Sequence, residues 1–429
     1  MNKKKDILVI GFALFSIFFG AGNLIFPPYI GLTSGSEWLI SFLGFIISDV
    51  GIIFLSIVAV SKAGSFQGVV GRADKKFGII LEILMMLCLG PILVVPRTAA
   101  TTFEMSISPL LGNVNPYVFS VIFFLIVFVL TIKPNKVMDI IGKVLTPLLL
   151  ISLAVLIIKG IINPIGDLEK VNSGKLFMTG ITQGYQTMDA LGTGGIVALV
   201  MASFASKGYK DKKKENRMLT IKSALIACVG LAIVYGGLTF LGATSSTLYD
   251  SSISQTTLLM NITNAILGST GTIMLAIVIG LACLTTAVGL TSVTAKYFED
   301  VSNKKLKYKY IVIAICVFSA LSSNLGVDKI IEIAVPVLSL IYPVSILLVV
   351  MSIFEKFVPN NVVVKGATYA TLLISLLTVI DSLGIKFEFV HKLPLANLGF
   401  NWVVPAIVGG LIAGLVFRKR EVVSLEESY

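Results

Sequence analysis

Three stretches of this sequence set polar or helix-breaking residues inside apolar runs, and each carries groups able to hold a small charged solute. The first, LFSIFFGAGNLIFPPYIG (14–31), has Gly20, Gly22 and Asn23 in its middle and Pro27 and Pro28 near its far end. Glycine has no Cβ to shield the backbone, so carbonyl and N–H groups there can approach a ligand closely. The second, TQGYQTMDALGTGG (182–195), holds four glycines, several hydroxyl and amide side chains, and Asp189. The third, LTTAVGLTSVT (284–294), places Val288, Thr291 and Ser292 at i, i+3 and i+4, on one face of a helix. Two hydroxyl oxygens with backbone carbonyls make a hard-oxygen set that suits a small alkali cation. Threonines in membrane helices also bond back to the preceding turn, so that reading stays open beside it.

These stretches need membrane helices to position them. The 429 residues are 56% hydrophobic and 13% charged, with a mean hydropathy of +0.95. Soluble domains carry about 25% charged residues, so this chain lacks the charge for a wetted surface. A bilayer core roughly 30 Å thick demands apolar helices of about 17–25 residues. Twelve such segments are expected, near 7–31, 38–60, 79–105, 116–132, 144–162 and 176–204, then 220–243, 270–298, 310–323, 333–353, 366–382 and 400–418. The predicted fold is an all-α polytopic membrane protein forming a single transmembrane domain over 1–429. MNKKKD and the apolar run after it show no small-residue cleavage site, so they read as the first span and not a signal peptide.

At 1.5 Å per residue from Ile7, Gly20 lies roughly 20 Å into the core. Unpaired amides in hydrocarbon cost several kcal/mol each, so a break there must face protein, water or a ligand. Small residues also make helix-packing faces. Asn23 and the proline pair favour a break. In span six, a carboxylate at membrane depth costs about 2.5–3.5 kcal/mol. Asp189 either receives an ammonium group or a cation, or caps the second half of its span. Interruptions at corresponding positions, five spans apart, point to inverted repeats with a midplane site. On that scheme repeat one covers about 7–162, repeat two about 176–353, and 366–418 is additional. Arg97 and Glu104, seven apart on span three, predict a structural or gating ion pair with another helix. Asp49 and Glu82 receive no role.

The formal charge of +11 is distributed unevenly: 27 of the 34 Lys and Arg fall on the side of the N-terminus. Cytoplasmic loops collect such residues, so both termini are expected in the cytoplasm. KGYKDKKKENR then reads as a loop at the lipid head groups, with no nucleic-acid partner. The four cysteines sit in predicted helices as small hydrophobes, and one histidine, His391, gives no zinc framework. No HExxH or serine-nucleophile motif sits in a catalytic setting, so an enzyme is not expected.

GFALFSIFFGAGNLIFPPYIG (11–31), GPILVVPRTAATTFE (90–104), GYQTMDALG (184–192) and AVPVLSLIYPVSILL (334–348) together resemble the bacterial branched-chain amino acid:cation symporter family. The resemblance runs over nearly the whole chain, in order. It implies an inner-membrane carrier importing leucine, isoleucine and valine with sodium, and no further cofactor. It also implies the 5+5 inverted-repeat fold with discontinuous helices 1 and 6 that neurotransmitter:sodium symporters share. Their GxGNxxxFP stretch is similar to GAGNLIFP here, which is one residue shorter before the proline. Ala21 and Gly22 then match the N–H donors to the substrate carboxylate, as a positive helix end would favour. Asn23 stands beside them and also matches a ligand of a second sodium. No asparagine stands in 220–243, where those symporters have another. An xGLTS pattern matches VGLTS (288–292), making Thr291 and Ser292 hydroxyl ligands of sodium, and Ser16, Phe19 and Val288 carbonyl ligands. Asp189 has no counterpart. With carbonyls of Gly184, Tyr185 and Thr187 it is expected to receive the substrate ammonium or help hold a cation. Another neutral amino acid or a nucleobase is the alternative cargo.

Overall fold

The computed structural model describes residues 3–20, 22–132, 136–171, 174–209, 213–358 and 360–426, and every regular element among them is helical. The first half runs α1 (Lys3–Phe18), α2 (Gly22–Ser34), α3 (Trp38–Ile46), α4 (Ile52–Ala63), α5 (Lys75–Leu87), α6 (Val94–Thr102), α7 (Pro116–Ile132) and α8 (Lys136–Ile162). The second half runs α9 (Leu176–Tyr185), α10 (Thr193–Phe204), α11 (Lys213–Ala243), α12 (Gln255–Val301), α13 (Tyr308–Ser322), α14 (Val327–Ile353), α15 (Asn361–Ser382) and α16 (Val403–Glu426).

Eight helical runs among the described residues are long and apolar enough to cross a membrane, and three shorter apolar helices accompany them. These eleven overlap, one by one, the expected segments from 38–60 to 400–418. The segment expected at 7–31 is divided between α1 and α2, and α2 continues through the 3₁₀ turn Gly35–Glu37 into α3. The region 244–269, expected to be a loop, contains the start of α12. Ser254 caps it by accepting the Thr257 N–H (3.2 Å), and Gly268 at φ 68° turns the chain into the longer apolar part. Its 13 residues before Gly268 are too few to register as a span.

Backbone-to-backbone packing joins the helices around the interruptions. A Cβ on Gly31 of α2 would stand 1.9 Å from the Thr239 carbonyl of α11, and one on Gly242 would stand 1.9 Å from the Pro28 carbonyl. Likewise α9 lies on α3 through Gly180 and Gly44, whose added Cβ atoms would meet the Ser41 and Phe177 carbonyls at 2.0 and 2.3 Å. Small residues allow this approach, which bare dispersion in lipid rewards. Large aliphatic side chains such as Leu125, Ile158, Ile233 and Leu415 face outward, the surface a hydrocarbon solvent requires. A π-turn ends the run Leu176–Tyr209 at Ala205–Tyr209, and three more interrupt the spans, at Ile47–Gly51, Cys88–Ile92 and Phe103–Ile107. Each of these three widens the helix and re-aims its side chains, and they carry Asp49, Gly90 and Glu104 respectively.

Candidate functional site

Helix α1 ends at Phe18: Phe19 N makes the last regular bond, to Phe15 O (2.9 Å), and Gly20 N turns onto Phe18 O only two residues back (3.0 Å). Helix resumes at Gly22. Pro27 and Pro28 supply no N–H, so the Asn23 and Leu24 carbonyls lose their usual donors four residues on. The second interruption lies between Tyr185 and Asp189. Met188 there is held left-handed at φ 63°, a costly conformation for a residue with a side chain, and it leads into the 3₁₀ turn Asp189–Gly192.

The two interruptions are bonded to each other. Asn23 Nδ2 donates to Asp189 Oδ2 (2.5 Å), to the Phe18 carbonyl (3.1 Å) and to the Tyr235 hydroxyl of α11. An amide has two protons for these three acceptors, so the Asn23 donors are fully used. No backbone N–H bonds to the Asp189 carboxylate among the described residues. The capping alternative therefore gains no support, and this carboxylate instead joins span six to span one.

Two further ionic residues converge on the second interruption. Arg97 of α6, only 2% exposed, donates from Nη1 to the Gln186 carbonyl (2.7 Å). Its guanidinium lies 5.3 Å from the centroid of Phe26, and a Cβ on Gly22 would be 2.7 Å from Nη2. Arg97 thus fills the space between both breaks. Asp49, on its π-turn, accepts the Thr187 hydroxyl at Oδ1 (2.7 Å), and Thr187 Oγ1 also lies 2.8 Å from the Gly184 carbonyl. Asp189 is within electrostatic range of both Asp49 and Arg97. Tyr185 stacks on Tyr342 at 4.4 Å between centroids. The hydroxyls of that pair, both amide atoms of Gln186, and Asp49 Oδ2 are buried with no hydrogen-bond partner among the described residues. Buried polar atoms are rarely left so, and a group of them beside two helix breaks marks a place built to receive a polar solute.

The sequence-predicted residues divide into two groups. Gly22, Asn23, Tyr185, Thr187 and Asp189 gather here, while Ala21 lies outside the described residues. Gly184 packs closely, since a Cβ there would be 2.0 Å from Ser48 Oγ, and its carbonyl accepts the Thr187 hydroxyl. The side chains of the set expected around sodium make other contacts. Ser16 donates back to Phe12 O (2.9 Å) and Phe19 stacks on Phe15 and Tyr235. Val288 packs in a separate apolar cluster with Val95, Ala99 and Val312. Ser292 Oγ pairs with the Tyr308 hydroxyl (3.0 Å), and only the Thr291 hydroxyl is buried without a partner. Glu104 forms no ion pair among the described residues: it accepts the Val327 N–H (2.9 Å) and the Thr256 hydroxyl (2.7 Å). Arg97 was expected in an ion pair away from the solute, yet it lies at the breaks. Asp49, Tyr235 and Tyr342 went unassigned; for Asp49, a carboxylate inside an apolar run was the available signal.

Residues 3–420 match the family model described as branched-chain amino acid transport protein. The chain belongs to that family. Among its relatives are two branched-chain amino acid permeases of Bacillus subtilis (strain 168). BrnQ is 33% identical over 440 residues, covering 98% of this chain and all of the relative. BraB is 35% identical over 422 residues, covering 95% and 94%. The fold is similar to that of Mhp1, a nucleobase-cation-symport-1 family transporter solved with bromovinylhydantoin bound. That likeness has a TM-score of 0.65 at 14% identity over 96% and 93% of the two chains. It is also similar to MhsT in complex with L-phenylalanine, with a TM-score of 0.52 at 19% identity over 95% and 98%. As a family member with eight membrane-length apolar runs, the protein is a multi-pass membrane transporter and not an enzyme.

Proposed function

We propose that this protein is a secondary active symporter that imports leucine, isoleucine and valine with sodium by alternating access. The observation that carries the reading is the Asn23–Asp189 bond, which ties two broken helices 166 residues apart into one polar site inside the bilayer. The names of the Bacillus subtilis permeases supply the cargo, and a fold likeness to a Na+-coupled sialic acid symporter supports the ion (TM-score 0.60). On this reading the chain threads twelve spans, with repeats over 7–162 and 176–353 and two additional helices. It lies in a bacterial inner membrane with both termini cytoplasmic, as the Lys and Arg bias asks.

The substrate carboxylate sits against the Gly22 N–H at the positive end of α2, and its ammonium against Asp189 and the carbonyls near Tyr185. Sodium bridges the Ser16, Phe19 and Val288 carbonyls to the Thr291 and Ser292 hydroxyls. For this Ser292 releases Tyr308 and α1 swings toward α12. Sodium thereby favours the closed arrangement, and its loss to the cytoplasm parts the helices. An inside-negative potential contributes about 2.3 kcal/mol per charge per 100 mV. Leucine uptake into proteoliposomes tests the reading. It should concentrate leucine only with an inward sodium gradient, and Thr291→Ala should weaken sodium dependence about tenfold. Uptake indifferent to sodium would remove the ion from the mechanism.

A further inference from the structure

We infer that Arg97 is the charged receptor of the substrate α-carboxylate, and so the residue that restricts cargo to free amino acids. This rests on the symporter reading above and deepens it. A backbone N–H at a helix end attracts an anion, yet it also accepts any neutral acceptor. A guanidinium is different: its planar fork fits a carboxylate with two parallel bonds and is always charged.

Three observations place Arg97 for that task. Its Nη2 lies so close to Gly22 that even a methyl group there would be 2.7 Å away, so the guanidinium and the exposed backbone of the first break share one space. Its Nη1 is anchored on the Gln186 carbonyl of the second break, and Nη2 and Nε make no hydrogen bond among the described residues. Asp189 lies within electrostatic range of Arg97, and its Oδ2 accepts from Asn23. A cation and an anion gathered at the same two broken helices are the charge complement of a zwitterion. The amino acid carboxylate docks on Arg97 and its ammonium on Asp189, so each buried charge exchanges one partner for another. The kink at Gly90 and Pro91, just before α6, sets Arg97 at this depth.

The test is a thermal-shift titration of purified full-length protein with L-leucine and with L-leucinol, which keeps the amine and side chain but has no carboxylate. The wild type should prefer leucine strongly. Arg97→Gln should weaken leucine about 30-fold or more, the cost of removing one partner of a buried charged pair, and bring the two ligands close to equal. Arg97→Lys should recover part of the preference. Should Arg97→Gln fail to fold, Gly22→Ala serves, since its methyl displaces only the flexible end of Arg97 and the Phe26 ring edge; the same loss of discrimination is expected. A leucine-to-leucinol ratio unchanged in either variant overturns the assignment of Arg97. A wild type that binds neither ligand instead sinks the symporter reading beneath it.

Discussion

Between Phe18 and Gly22 the chain breaks on its own residues: Asn23 folds back onto the Phe18 carbonyl, and a Cβ on Gly20 would have 3.7 Å of room to its nearest neighbour, Asn23 Oδ1. Between Tyr185 and Asp189 the support comes from elsewhere. Arg97 arrives from α6 to bind the Gln186 carbonyl, Asp49 arrives from the π-turn Ile47–Gly51 to take the Thr187 hydroxyl, and Met188 is held left-handed among them. The first break has open space at Gly20, and the second is braced by two distant segments and strained. A strained element persists only where its surroundings over-determine it, and such elements are where two conformations lie close in free energy. The second break is therefore the part expected to respond to solute.

The hardest blow to this contrast comes from Asp189→Asn. Asparagine keeps an oxygen to accept the Asn23 amide, so the link between breaks survives while the charge is lost. Leucine uptake should fall about 100-fold or more, as when one member of a buried charged set is removed. Uptake near the wild-type rate would reduce Asp189 to a hydrogen-bond acceptor. Next come the glycines. Gly184→Ala puts a methyl 2.0 Å from Ser48 Oγ of the π-turn and 3.0 Å from the Phe45 carbonyl of α3, so Ser48 must turn away and α9 must shift slightly, a cost of about 1–3 kcal/mol and a lower melting temperature. Gly20→Ala meets nothing closer than 3.7 Å and should melt within a degree or two of the wild type. Equal melting of the two variants would erase the distinction between a permissive and a packed break.

A smaller effect is expected at Tyr235→Phe. The hydroxyl is one of three acceptors for two Asn23 protons, so its loss leaves the donors satisfied. Leucine affinity should drop about three- to fivefold, the worth of one shared hydrogen bond. A drop of two orders would show that α11 contacts the solute directly.

This asymmetry also sets what was legible in the sequence. GAGN with its prolines and GYQTMDALG mark their breaks because glycine, proline and a stranded carboxylate are local signals in an apolar run. The partners of the second break are not local. Arg97 looked like a gate residue because only its own span was in view, and Asp49 sat in an ordinary apolar segment. Nothing along the chain says that a π-turn rotates Asp49 toward Thr187, since one inserted residue leaves no compositional trace. Hydropathy sees apolar length, so the twelve segments overlap the described helices, but it does not show where a helix ends, as in the run from α2 into α3 or the start of α12 at Gln255.

Glu104 offers the finest discrimination, because it shares with Asp189 the one property that hydropathy could flag, a carboxylate inside a span. Its surroundings differ. Both oxygens are already used, one on the Val327 N–H at the start of α14 and the other on the Thr256 hydroxyl of α12. Its charge faces a helix N-terminus, which is worth about 0.3–1 kcal/mol. Glu104→Gln keeps an oxygen for Val327 and turns its NH2 to the Thr256 oxygen, whose proton then goes to Ser254 Oγ (3.2 Å), so melting should fall by a degree or two while the leucine KM and sodium dependence stay unchanged. If Glu104→Gln impaired uptake as Asp189→Asn does, then span depth alone would govern the carboxylates. Convergence on the breaks would no longer separate the working charge from the structural one.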